Sequence, residues 1–227
     1  MKADVIIVAA GQSRRMNGVD KTFADILGKP VIAHTISAFE NAPSIDSIVL
    51  VVQGDKADQF SKLILQMGFK KVKKICSGGT SRQQSVHNGL EFTNDADVVL
   101  IHDGARPCVR VDTIELGIVE AIEHGAAIAG SDVYDTIKSV NGDGFVSKTL
   151  NRNELRAIHT PQSFKRDILE CIHKNLQLEM TDDAGLAEAL GYKVKVYQDY
   201  PDNIKITTQY DLAIAQAILQ RNSNIIH

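Results

Sequence analysis

The stretch Val5-Ile6-Ile7-Val8-Ala9-Ala10 is an unbroken apolar run that passes straight into the polar turn Gly11-Gln12-Ser13-Arg14-Arg15-Met16-Asn17-Gly18. A strand with one face in water alternates apolar and polar residues; this run does not, so it reads as a strand buried on both faces. The pattern continues outward. Pro30 can open a helix through about residue 40, with Ile32, Ile36 and Phe39 at helical spacing. Residues 47–52 read as a second buried strand. In the helix expected at 55–67, Phe60, Leu63, Ile64 and Met67 share one face, and Gly68 ends it. A weaker strand follows at 72–76, and Ser81 and Gln84 have capping-box spacing before a helix. Residues 98–101 form a further buried strand ending at His102-Asp103. Asp112 and Glu115 repeat the capping-box spacing at the start of a helix that stops near Gly125. This succession of strand then helix predicts an α/β fold, with a mainly parallel sheet covered on both faces.

The rhythm breaks after Ser131. Residues 133–140 and 145–150 look extended and flank Asn141-Gly142-Asp143-Gly144, which predicts a β-hairpin arm leaving the sheet at about residues 133–151. A lone hairpin is marginal in water, yet this one carries Val133, Ile137, Val140, Phe145, Val146 and Leu150. Those side chains need another surface, and a two-fold partner supplies one, so a homodimer through the arm is expected. The tail returns to helix at about 165–176 and 183–190, strand at 193–198 and helix at 208–220. With no linker, composition shift or repeat, residues 1–227 read as one domain.

Composition excludes other classes. Of 227 residues, 44% are hydrophobic and 23% charged, which is ordinary globular usage and argues against disorder. The net charge of −3 gives no basic field to recruit nucleic acid or a membrane surface, so any polyanion must meet a local site. Cys76, Cys108 and Cys171 show no C-x-x-C spacing and leave one unpaired if two join, which suits a reducing cytoplasm. No segment has the length of a membrane span or the form of a signal peptide.

In open α/β sheets ligands bind beyond the carboxyl ends of the strands, and three turns there carry chemistry. In the first, small residues at Ala9, Ala10 and Gly11 let backbone N–H groups approach an anion, while Arg15 and Lys21 can neutralise phosphate. It lacks both the Walker G-K-[ST] and the dinucleotide G-x-G-x-x-G, and taken alone a solvated basic loop is the lesser alternative. The second, His102-Asp103-Gly104-Ala105-Arg106-Pro107, offers a carboxylate that could hold a divalent metal or orient a hydroxyl, or simply pair with Arg106. His102 fits a structural role, because no second His or Cys stands at ligand spacing. In the third, Gly78-Gly79-Thr80-Ser81-Arg82-Gln83-Gln84-Ser85, the backbone beside Gly79 could read a flat base edge, while Ser81 caps the helix. Thr136, Arg152, Thr160 and Lys205 carry little signal singly.

Taken in order, A-A-G-x-x-x-R-M, a Lys shortly after, G-G-x-x-R-x-x-S, H-D-G-A-R-P, D-T-I-K, N-R-N, T-P-Q and N-I-K-I-T span nearly the whole chain. The set resembles the 2-C-methyl-D-erythritol 4-phosphate cytidylyltransferases. That resemblance implies a Rossmann-like fold of the nucleotide-diphospho-sugar transferase type. It also implies transfer of CMP from CTP to the polyol phosphate with release of pyrophosphate, and Mg²⁺ or another divalent cation as cofactor. It puts Arg15 and Lys21 at the charged transition state, Ala9, Ala10 and Gly11 beneath the nucleotide, and Gly79, Thr80 and Ser85 around the cytosine. Asp103 falls on a carboxylate that positions both substrates and, with Arg152 and Lys205, completes the catalytic set. Arg106, Thr136 and Thr160 fall on positions that hold the acceptor, Thr136 and Arg152 reaching a neighbouring subunit's crevice. Mg²⁺ would be held mainly by the CTP phosphates.

The chain departs from the pattern at four places. Ser13 stands where a second Gly is frequent, Asp20 and Thr22 flank Lys21 in place of Pro and Gln, and Thr80 replaces a residue that is often acidic. The loop before Lys21 is also one residue shorter. A ribitol-5-phosphate cytidylyltransferase is the nearest rival reading, a guanylyl- or sugar-nucleotidyltransferase a more distant one. A nucleotide-binding module without turnover is the rival of another class, and retention of both Arg15 and Lys21 argues against it.

Overall fold

Period-two alternation within the buried strands divides the core between the two sides of one sheet. The computed structural model describes residues 2–11, 20–93, 96–174 and 180–225. The chain runs β1 (Ala3–Val8), a short hairpin β2 (Asp25–Ile26) and β3 (Lys29–Pro30), α1 (Val31–Asn41), β4 (Ile45–Val52), α2 (Ala57–Met67), β5 (Val72–Ser77) and α3 (Arg82–Leu90). It continues through β6 (Val98–Asp103), α4 (Val111–His124), β7 (Ala126–Asp132), β8 (Lys138–Val140), β9 (Val146–Thr149) and β10 (Arg156–Lys165). The last elements are α5 (Arg166–His173), α6 (Asp183–Ala189), β11 (Lys195–Gln198) and α7 (Gln209–Ile225).

Seven strands form the sheet in the order β11-β7-β10-β6-β1-β4-β5. β1 pairs in parallel with β4 and β6, β4 with β5 and β11 with β7, while β10 runs antiparallel between β6 and β7. Val5 and Ile7 of β1, Ile48 and Leu50 of β4 and Leu100 of β6 face α1, α2 and α4 through Ile36, Phe39, Phe60 and Ile114. Their neighbours Ile6, Val49, Val51, Val99 and Ile101 face α3, α5 and α6 through Val86, Leu169, Ile172 and Leu186. Both faces are dry, which is why the central runs of these strands, Val5–Val8, Ile48–Val52 and Val98–Ile101, are apolar without alternation. The expected mainly parallel α/β sheet is the one observed.

Two strands were not anticipated. β7 is built from Ala126-Ala127-Ile128-Ala129-Gly130, in which all but Ile128 have low strand propensity, and it succeeds because neighbours on both sides supply the pairing. β10 contains Pro161, which ordinarily argues against an interior strand; here it falls in the register shift between Ile158 and Gln162, where no ladder bond is lost.

Helix starts also needed correction. The α4 cap is Arg110, not Asp112, which lies in the first turn and pairs with Arg110. Glu115 turns away from its own helix to accept from Ser44 N and Ser44 Oγ. Ser81 does cap α3, accepting from Gln84 N at 3.0 Å, but Gln84 bonds Asn88 rather than reaching back.

The arm at about 133–151 is present as the separate two-stranded pair β8–β9, with strands shorter than expected. Phe145 is 73% exposed, and Tyr134, Val140 and Val146 are also in water. Among the described residues no helix is long and apolar enough to cross a membrane.

Candidate functional site

The carboxyl ends of β1, β5 and β6 open onto a cleft of about 490 Å³. Ala9, Ala10 and Gly11 follow β1, Gly79, Thr80, Ser81, Arg82 and Ser85 follow β5, and Asp103 ends β6; all of them line it, with Lys21 and Lys205. The turns are tied to the sheet through Ala9 N to Val51 O (2.7 Å), Gly78 N to Val52 O (2.8 Å) and Gly104 N to Val8 O (2.9 Å). The sequence-derived nucleotide set Ala9, Ala10, Gly11, Gly79, Thr80 and Ser85 therefore converges on one crevice.

The glycine turn is forced by crowding. A Cβ on Gly78 would lie 2.3 Å from Ala10 Cβ, and one on Gly79 2.4 Å from Gln84 Cβ. Ser85, on the first turns of α3, locks this turn: its Oγ accepts from Gly79 N at 3.1 Å and donates to Ser81 O at 2.8 Å. The turn that lines the cleft at Gly79, Thr80 and Ser81 is thereby held in a fixed geometry.

Lys21 reaches the cleft because its segment is docked on α1. Pro30 provides no side-chain cap there, and the first N–H groups of the helix instead donate to Ala24 O and Thr22 O. Asp20 accepts from Thr22 N at 3.0 Å and Thr22 Oγ1 at 2.6 Å, and pairs with Lys56 at 2.6 Å. The Asp20 and Thr22 departures thus form a local turn that fixes the residue between them. Arg15 and Ser13 lie outside the described residues.

Lys205, Arg106 and Arg82 surround Asp103. Lys205 Nζ lies 2.8 Å and Arg106 Nε 3.4 Å from its Oδ2, and Arg82 Nε lies 3.7 Å from Oδ1. Burial raises its pKa, but the charges of Lys205, Arg82 and Arg106 outweigh burial and hold the carboxyl well below the usual range. Arg82 was missed as a site residue. It is the arginine of the G-G-x-x-R-x-x-S motif, and that spacing was the signal that could have marked it.

Thr160 and Arg106 lie underneath this group rather than in the open cleft. Thr160 Oγ1 accepts from Asp103 N at 3.0 Å and contacts His102 Nδ1 at 3.0 Å. His102 Nε2 donates to Arg106 O, so Nδ1 accepts from the threonine hydroxyl. Burial pushes the His102 pKa down to about 4, which keeps the ring neutral in the structural role expected for it. Arg106 Nη1 donates to Asn203 O, and Asn203 Nδ2 donates to Thr160 O and Asp199 Oδ2. The Asp199 and Asn203 network, another feature not foreseen, carries the loop that delivers Lys205.

Thr136 and Arg152 are not brought to this cleft. Both are exposed at the arm, where Arg152 Nη1 donates to Tyr134 O at 2.7 Å. No cluster of three or more His, Cys, Asp or Glu suited to a metal exists among the described residues. Asp103 is the only carboxylate lining the cleft among them, and its oxygens already face cations. This donor set suits a cation that arrives on a ligand's phosphates rather than one caged by the protein.

Comparison with known proteins gives a consistent result. Residues 3–221 match the family model described as 2-C-methyl-D-erythritol 4-phosphate cytidylyltransferase. The enzyme of that name from Dehalococcoides mccartyi strain CBDB1 is 44% identical over 220 residues, covering 97% of each chain. The one from Clostridium tetani is 42% identical over 224 residues, covering 97% of this chain and 91% of that protein. Among solved structures, the 4-diphosphocytidyl-2C-methyl-D-erythritol synthase of Anaerococcus prevotii superposes with a TM-score of 0.84 at 30% identity, covering 96% of both chains. The cytidylyltransferase of Thermus thermophilus gives 0.77 at 29% identity, covering 97% of this chain and 100% of that one.

Proposed function

The chain belongs to the 2-C-methyl-D-erythritol 4-phosphate cytidylyltransferase family and transfers CMP from CTP to that acceptor in isoprenoid precursor biosynthesis; we propose that it does so by charge neutralisation and alignment, with no strong general base. The acceptor phosphate is already an anion. Its oxygen bonds to the α-phosphorus of CTP as the bond to the pyrophosphate oxygen breaks, and pyrophosphate leaves with the electron pair. What the protein must supply is positive charge and a fixed approach of one anion to another.

The single observation that carries this reading is the cleft itself, in which the small-residue turns and Lys21, Asp103 and Lys205 meet. Lys21 and Arg15 neutralise charge that grows at the α-phosphorus. The turns at Ala9-Ala10-Gly11 and Gly79-Thr80 hold the nucleotide, with Ser85 fixing the second turn. Asp103 anchors Lys205, which meets the acceptor phosphate, and Arg106 and Thr160 hold Asp103 in place. A divalent cation such as Mg²⁺, arriving with CTP, would supply further charge neutralisation.

The exposed apolar arm supports a homodimer in which Thr136 and Arg152 complete the partner's acceptor site. We also assign residues 1–227 to one nucleotidyltransferase domain and place the protein in the cytoplasm, where its three free thiols suit a reducing compartment. Neither nucleic acid nor membrane is a partner in this reading.

Co-expression of Lys21→Ala and Arg152→Ala subunits tests the shared site. Each parent is expected to be inactive. A mixed dimer keeps one site with both residues, so a random mixture recovers roughly a quarter of wild-type activity. No recovery from dimeric protein would refute the shared site.

A further inference from the structure

The Arg82 guanidinium touches two carboxylates at once. Its Nε lies 3.7 Å from Asp103 Oδ1, on the cleft, and its Nη1 lies 2.5 Å from Asp183 Oδ2. Asp183 does not line the cleft and is 0% exposed. A carboxylate that deep is costly unless it is paired and hydrogen-bonded, and the transfer chemistry itself asks for none there.

Asp183 is held from several directions. His173 Nε2 lies 3.0 Å from its Oδ1. Gln162 Oε1 accepts from Asp183 N and Ala184 N, and Gln162 Nε2 donates to Asp182 Oδ2 at 2.6 Å. Burial pushes the Asp183 carboxyl up, but Arg82 and His173 outweigh it and hold the group below the usual carboxylate range. It is thus a fixed anion, built from α6 and braced by β10 and α5. At the other end of Arg82, these Asp103 ion pairs are divided: Lys205 and Arg106 face Oδ2, and Arg82 faces Oδ1. Without Arg82 the ion pairs that Lys205 and Arg106 make fall on the same oxygen, and the carboxylate can swing and take Lys205 with it.

We propose that Arg82 and Asp183 are positioning residues of the cytidylyl transfer: buried Asp183 fixes Arg82, and Arg82 fixes the rotation of Asp103 and hence the place of Lys205. The inference rests on the reading of Asp103 and Lys205 given above. Arginine suits the task because its planar fork presents separate N–H groups to two acceptors, whereas lysine offers a single ammonium.

The test compares Arg82→Gln, Arg82→Lys, Asp183→Asn, Asp183→Glu and the double variant Arg82→Gln/Asp183→Asn by pyrophosphate release, varying CTP and acceptor separately, with thermal melting alongside. Arg82→Gln should lower kcat on the order of tenfold while the KM for CTP moves less than about twofold. Arg82→Lys should stay as low as Arg82→Gln. Asp183→Asn should also lose kcat, and the double variant should fall no further than Arg82→Gln alone, because Asp183 acts only through Arg82. If Asp183→Asn does not fold, Asp183→Glu keeps the charge but displaces the guanidinium, and should lower kcat in a folded protein. Wild-type kcat in Arg82→Gln or Asp183→Glu, rescue by Arg82→Lys, or a double variant equal to the product of the single losses would overturn the proposal. Lys205→Ala separates the two levels of inference. If it keeps full activity, the reading of the cleft fails; if it loses activity while the Arg82 variants do not, only this proposal fails.

Discussion

Lys205 Nζ lies 2.8 Å from Asp103 Oδ2, which joins the end of β6 to the segment leading into α7. The contact keeps the carboxylate ionised and spares the lysine part of the conformational freedom it would otherwise lose on meeting a ligand. With Arg82 and Arg106 also around Asp103, positive charge exceeds negative at the base of the cleft. Such a site attracts a triphosphate and a second phosphate together, in a chain whose overall charge is −3.

Lys21→Ala should lower kcat on the order of 10²-fold while CTP binding weakens much less, because the interaction strengthens as charge grows in the transition state. Initial rates and equilibrium CTP binding, measured on the same preparation, check this. An unchanged kcat would remove Lys21 from the chemistry.

Gly79→Ala probes the crowded turn. The new methyl would sit 2.0 Å from Gln84 Cγ and 2.4 Å from Gln84 Cβ, so the turn or the start of α3 must shift. Overpacking of this kind costs about 1–3 kcal/mol, and the KM for CTP should rise on the order of tenfold. Denaturant titration and kinetics together read both effects; wild-type values in each would mean that the turn is more open than described.

The strands buried on both faces and the turn residues at their ends were legible because burial and backbone approach leave direct marks in sequence. Val5-Ile6-Ile7-Val8 is apolar throughout, and Gly78-Gly79 stands where no side chain fits. β7 and β10 were not legible, since alanines carry no strand signal and Pro161 argues against one; neighbouring strands make both possible. The supporting layer of the site was hidden for a similar reason. Asp183, Asp199 and Asn203 act through partners far away in the chain, such as Arg82, Thr113 and Thr160, and no local spacing announces such pairs.

Asp4, buried at the start of β1, predicts a pH effect on stability. Burial, then Asp46, raises its pKa from 3.8 to about 6, against the opposing charges of Arg166 and Lys2. Between those values the folded protein binds more protons than the unfolded chain, so this group's contribution to stability declines as pH rises from about 4 to about 6. Asp4→Asn should therefore gain on the order of 2 kcal/mol at pH 8 and little near pH 4. Melting curves at the two pH values decide it: a gain of equal size at both would contradict the assignment.

Pyrophosphate release measured for CTP, UTP, GTP and ATP, each with 2-C-methyl-D-erythritol 4-phosphate and with ribitol 5-phosphate, tests the function most directly. Release should be fastest with CTP and the methylerythritol phosphate, with the highest kcat/KM of the eight combinations. A higher kcat/KM with ribitol 5-phosphate, or with any nucleotide other than CTP, would contradict it.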